Sequence, residues 1–155
     1  MLFAIGNDHA GFAAKQPVID TLESLGHDYD DLGTYDEESV DYPDYARRVG
    51  EAVAEGDADR GILVCGSGVG VTVAANKIPG VRACVCHDSY TARQGVEHDA
   101  MNVLCIGGRV IGSELIAEVV RNFAGATFSG VDRHERRLNK MLEIEQKACG
   151  GGYDV

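Results

Sequence analysis

The stretch Ile62-Leu63-Val64-Cys65-Gly66-Ser67-Gly68-Val69-Gly70 decides how the rest of the chain is read. Ile62 to Cys65 is an apolar run of strand length, and its lack of alternation marks a strand covered on both faces. The alternating glycines after it open into a helical pattern from about Val69 to Lys77. Strand, glycine turn and helix in succession form one unit of an open parallel sheet.

Outward from this unit the same alternation repeats. Leu2–Gly6 reads as a first strand, followed by a helix from about Phe12 to Leu25 that Gly26 ends. His27–Leu32 is a second strand, short or edge-like because it carries three aspartates. Tyr42-Pro43 leads into a helix through Arg47, Val49 and Val53 that stops near Gly56. Arg82–Cys86 and Asn102–Ile106 supply strands four and five, with a helix near Ser89–Val96 between them. Helices from Gly112 to Phe123 and from about Asp132 to Lys147 follow. The expected fold is α/β: a doubly wound, Rossmann-like, five-stranded parallel sheet with helices on both faces. No repeat or linker divides it, so residues 1–149 form one domain and 150–155 a loose tail.

Composition narrows the function. With 45% apolar residues in 155, the chain can bury a core and is not a disordered one. Its apolar runs fall far short of the ~20 residues that cross a bilayer, so no membrane partner is expected. The first strand begins almost at once, with no signal peptide before it, which predicts a cytoplasmic protein. A net charge of −11 argues against a nucleic-acid partner, because backbone phosphates repel it. Arg133, Arg136, Arg137 and Lys140 nevertheless gather basic charge late in the chain, enough for a small anion or for a solvated helix face. Five cysteines, an odd number with no C-x-x-C pair, fit neither a disulfide framework nor a metal site. Most read as small buried hydrophobes.

In such sheets ligands bind beyond the carboxyl ends of the strands. After strand one stand Asp8 and His9, suited to a sugar hydroxyl and a phosphate, or to a helix cap with an incidental histidine. After strand three, Gly66, Ser67, Gly68, Val69 and Gly70 bring backbone amides to a helix start that favours negative charge. The spacing is G-x-G-x-G and lacks a Gly-Lys-Ser/Thr ending, so neither a dinucleotide nor a Walker site is indicated. Cys65 directly before this loop has the setting of a reactive thiolate, beside donors able to hold an enediolate oxygen. A structural cysteine at a tight turn is the plainer alternative. Glu97-His98-Asp99 follows the fourth helix, and Gly107-Gly108-Arg109 follows strand five. Arg133 and Arg137, four apart, share a helix face and can clamp a phosphate or simply face solvent.

Taken together, these motifs resemble the ribose-5-phosphate isomerase B and galactose-6-phosphate isomerase family. The carriers are Gly6-Asn7-Asp8-His9-Ala10-Gly11, Asp41-Tyr42-Pro43, Cys65 to Gly70 continuing to Ala74-Ala75-Asn76-Lys77, Arg82-Ala83, Asn102-Val103-Leu104, Gly107-Gly108-Arg109, Arg133-His134 and Arg137. They run in order to about Gln146. The resemblance implies a cofactor-free aldose–ketose isomerase working through a cis-enediolate, with ribose 5-phosphate as first substrate. Cys65 then moves the proton, His98 opens the sugar ring, Asp8 assists, and residues 66–70, Ser67 included, hold the enediolate. His9, Arg109, Arg133 and Arg137 bind phosphate, and Tyr42 lines the pocket. Relatives lacking the cysteine use a glutamate in the glycine-rich segment; here that position is Val71.

The resemblance also implies a homodimer or homotetramer with sites shared between subunits. His98, Asp99 and Arg109 would reach into a partner's pocket, and the last helix, with Leu138, Met141 and Leu142, would pack across the interface. Asp99 departs from the asparagine usual in ribose-5-phosphate enzymes, replacing a donor–acceptor amide with a carboxylate. It marks a different sugar as the alternative, a six-carbon 6-phosphate or a tetrose phosphate. Ser67 for the common threonine keeps the hydroxyl. A non-catalytic sugar-phosphate sensor and a flavodoxin-like nucleotide binder are readings from other classes.

Overall fold

The computed structural model describes residues 1–151. In chain order it contains β1 (Leu2–Asn7), α1 (Phe12–Ser24), β2 (Asp28–Asp31), α2 (Tyr42–Ala54), β3 (Arg60–Cys65), α3 (Val69–Ala75), β4 (Ala83–Val85), α4 (Ser89–Asp99), β5 (Val103–Gly107), α5 (Ser113–Gly125) and α6 (Asp132–Cys149). The strands form one sheet in the order β2-β1-β3-β5-β4, and every pairing is parallel. The doubly wound α/β expectation holds. Among the described residues no helix is long and apolar enough to cross a membrane.

The continuous apolar runs of the central strands follow from burial on both faces. Phe3, Ile5, Ile62, Val64, Leu104 and Ile106 share one core with residues of α1, α4 and α5. Ala4, Leu63, Cys65, Val103 and Cys105 face the other way, onto α2 and α3. On that second face α2 sits close: a side chain at Gly61 would begin 2.6 Å from the Val49 Cγ1. The register pairs Leu63 with Cys105 and Cys65 with Gly107. The ends of β3 and β5 therefore lie side by side.

β2 is the edge strand that its aspartates predicted, with Asp28 and Asp30 exposed on it. Asp31 turns inward. α4 runs further than the pattern foretold. Asp88 caps its start by accepting the Thr91 amide at 2.8 Å, and the helix persists to Asp99. It stops at Ala100, the one non-glycine residue with positive φ among those described. Glu97, His98 and Asp99 thus form its last turn instead of following it. Their half-buried polar side chains broke the apolar period from which an end at Val96 was read. α6 buries His134 alone among its residues, and leaves Met141 and Ile144 exposed. Gly150 and Gly151 bond back to Gln146 and Ala148. The rest of the expected tail, residues 152–155, lies outside the described residues.

Candidate active site

Cys65 ends β3 with its side chain directed to the α2–α3 face, 5% exposed. Its Sγ accepts the Gly68 amide at 3.0 Å. Gly68 reaches the position through φ +81, and a side chain there would meet Val85 at 2.7 Å and the Ile106 backbone at 3.1 Å. Only glycine meets both demands. The Val69 amide turns to the Ser67 Oγ at 3.3 Å. Two of the five loop amides are thus engaged within the loop. That of Gly70, in the first turn of α3, has no partner within the helix.

Around this thiol stand residues from neighbouring strand ends. Asp8, buried, accepts the Gly11 amide at 2.9 Å through Oδ1, while its own amide reaches the Val64 carbonyl. The His9 Nδ1 accepts the Val40 amide at 3.2 Å, so neutral His9 carries its proton on Nε2. Tyr42 opens α2 and lays its ring on Gly70, where a β-carbon would fall 2.8 Å from the Tyr42 Cζ. The loop bearing Val40 is tied down by Lys15, whose buried ammonium lies 2.8 Å from Asp31 and 2.9 Å from the Thr34 carbonyl. Arg109 donates its amide to the Gly66 carbonyl at 3.1 Å, and its side chain lies along Gly66. Arg109 therefore stands beside its own chain's glycine loop. His87 supports that turn, accepting the Gly107 amide at 2.9 Å on Nε2.

The remaining residues gather elsewhere. α4 begins past the carboxyl end of β4 and returns to the opposite edge, where the Ala100 carbonyl accepts from Arg82, the residue just before β4. His98 and Asp99 lie at that amino edge. The His98 ring stacks on His134 at 4.0 Å between centroids. His134 is fixed by Ser129, whose Oγ lies 2.6 Å from its Nδ1. Burial, then His98, Arg133 and Arg137, pushes the His134 value down. Arg133 and Arg137 flank His134 on α6, and among the described residues neither joins a salt bridge. The candidate residues thus fall into two clusters, Asp8, His9, Tyr42, Cys65–Gly70 and Arg109 at one edge, His98, Asp99, Arg133 and Arg137 at the other.

The sequence reading passed over His134, His87, Gln94 and the Val40 amide. His134 stands in the sequence only as part of the Arg133-His134 pair; the others have no signal apart from their three-dimensional neighbours. The thiols also separate. Burial pushes Cys105 up to about 12, and Cys86 is raised by its hydrogen bond to Cys84 and by burial. Cys65, Cys86 and Cys105 are buried, as expected of most of the five, while Cys84 and Cys149 are exposed.

Comparison with known proteins gives this geometry relatives. Residues 3–141 match the family described as Ribose/Galactose Isomerase. Ribose-5-phosphate isomerase B of Escherichia coli is 44% identical over 144 residues, covering 93% of this chain and 96% of that protein. The structure of ribose-5-phosphate isomerase B from Clostridium thermocellum superposes with a TM-score of 0.92 at 46% identity, covering 96% of this chain and 99% of the other. D-erythrulose-4-phosphate isomerase 2 of Mycolicibacterium smegmatis is 36% identical, covering 91% and 95%.

Proposed function

This chain belongs to the ribose/galactose isomerase family and is a sugar-phosphate isomerase, and from that premise we propose that it interconverts ribose 5-phosphate and ribulose 5-phosphate through Cys65. The observation that carries the chemistry is the Cys65 Sγ held on the Gly68 amide at 3.0 Å, at the start of the glycine-rich loop. The Cys65 thiolate takes the proton from C2 of the open aldose, and the electrons move onto O1 to give a cis-enediolate. Loop amides stabilise the charge as it builds. The same thiol returns its proton to C1 while the O2 proton passes to O1, which becomes the C1 hydroxyl, and the carbonyl is now at C2. Asp8 and Tyr42 hold the sugar, while His9 and Arg109 meet the phosphate. The five-carbon choice rests on the two relatives of highest identity described above.

A second copy completes the site. His98, Arg133 and Arg137 sit a strand length from Cys65, roughly 17 Å for five residues at ~3.3 Å each. No side chain bridges that gap. A symmetric pair bringing the amino edge of one chain to the carboxyl edge of the other supplies ring opening and two further phosphate ligands. A tetrose phosphate is the second reading, supported by the likeness to D-erythrulose-4-phosphate isomerase 2, with Asp99, an acceptor-only carboxylate, as the candidate determinant. Assay of ribose 5-phosphate, erythrose 4-phosphate and six-carbon 6-phosphates tests both. Highest kcat/KM on ribose 5-phosphate is expected; a preference for another sugar displaces the substrate assignment, and no turnover of any removes the reading.

A further inference from the structure

Gln94 and His98 lie one turn apart on α4, with the Gln94 Nε2 3.0 Å from the His98 Nδ1. An amide nitrogen is a donor only, so in this contact Nδ1 is the acceptor and neutral His98 carries its proton on Nε2. Among the described residues Nε2 has no hydrogen-bond partner. The ring plane is set separately, by the stack on His134 that Ser129 anchors. Tautomer and orientation therefore have different sources, and both leave Nε2–H as the free polar point of this histidine.

We propose that Gln94 is a positioning residue that fixes His98 as a hydrogen-bond donor through Nε2, aimed at the ring oxygen of the closed sugar phosphate. The inference rests on the isomerase reading and specifies the part that His98 plays in it. Ring opening breaks the C1–O4 bond; the C1 hydroxyl proton passes to water as C1 becomes the carbonyl, and the ring oxygen takes up a proton from water. The Nε2–H bond stabilises negative charge gathering on that oxygen while the C–O bond lengthens. No proton leaves His98, and none is needed for balance. With the other tautomer, Nε2 would present a lone pair to the ring oxygen and oppose the cleavage.

The test combines nitrogen-15 NMR of histidine-labelled protein with kinetics on ribose 5-phosphate. The His98 signals are those absent from His98→Asn, and spectra are taken at a pH where His98 is neutral. Wild type should show the Nε2–H tautomer. Gln94→Glu, an acceptor at the same place, should move the proton to Nδ1, and Gln94→Leu should give a mixture. Gln94→Glu should lower kcat about tenfold with KM within twofold, and Gln94→Leu should fall between it and wild type. A Nδ1–H tautomer in wild type, or an unchanged tautomer in both variants, overturns the proposal. A switched tautomer with unchanged kcat overturns the role in ring opening. If wild type turns over no ribose 5-phosphate, the substrate reading fails while the NMR result still decides whether Gln94 sets the tautomer.

Discussion

Cys65 and His98 lie at opposite edges of one parallel sheet, Cys65 at the carboxyl end of β3 and His98 beside the segments leading into β4 and β5. If both serve one substrate, each must act with its counterpart in another copy. Cys65→Ala and His98→Asn should each lose at least 100-fold (order of magnitude) in kcat. Mixed after dissociation and reassociation, the two inactive proteins should recover up to about a quarter of wild-type activity, because half the dimers then carry one intact site of two. Absence of recovery despite proven subunit exchange would rule out the shared site.

Gly70 is the place where pocket shape and stability part company. Alanine has the better helix propensity by ~1 kcal/mol, but its β-carbon would fall 2.8 Å from the Tyr42 ring. Tyr42 is half exposed and free to swing away, so the fold can accept the change. Gly70→Ala should keep its melting temperature within a few degrees and raise KM at least fivefold (order of magnitude). An unchanged KM would separate Tyr42 from the substrate.

Acid should weaken the protein through His134. Burial and the neighbouring His98, Arg133 and Arg137 hold its value below that of the unfolded chain, ~6.5. The unfolded state therefore binds the proton first. Stability is full above the unfolded value and is lost as pH falls through the lower folded one. Thermal melts between pH 8 and 5 should show a falling midpoint, and His134→Gln should flatten that slope. An equal slope in the variant assigns the acid sensitivity to other groups.

Alkylation will meet Cys84 before Cys65. Cys84 is exposed, and its hydrogen bond with Cys86 lowers its thiol to about 7. Iodoacetamide should label Cys84 in a fast phase without loss of turnover, and Cys84→Ser should abolish that phase. Inactivation should follow the slower labelling of Cys65. If Cys84→Ser protects activity instead, Cys65 is not the essential thiol.

The sequence by itself determined the architecture and the placement of Asp8, Cys65 and Arg109 at strand ends. Unbroken apolar runs at Ile62–Cys65 and Val103–Ile106 can satisfy their burial only between two helical layers, and the sheet follows from that. Cys65, Asp8 and Arg109 were legible because a strand's end is a local feature, visible wherever an apolar run meets glycine. What the tertiary structure decided is which groups meet. Strand order puts β5 beside β3 and so lays Arg109 against its own chain's Gly66. The last turn of α4, unread in a polar stretch, carries His98 to the far edge and onto His134. Those contacts join residues dozens apart or chosen by the path of a helix across a sheet, and no periodicity records them.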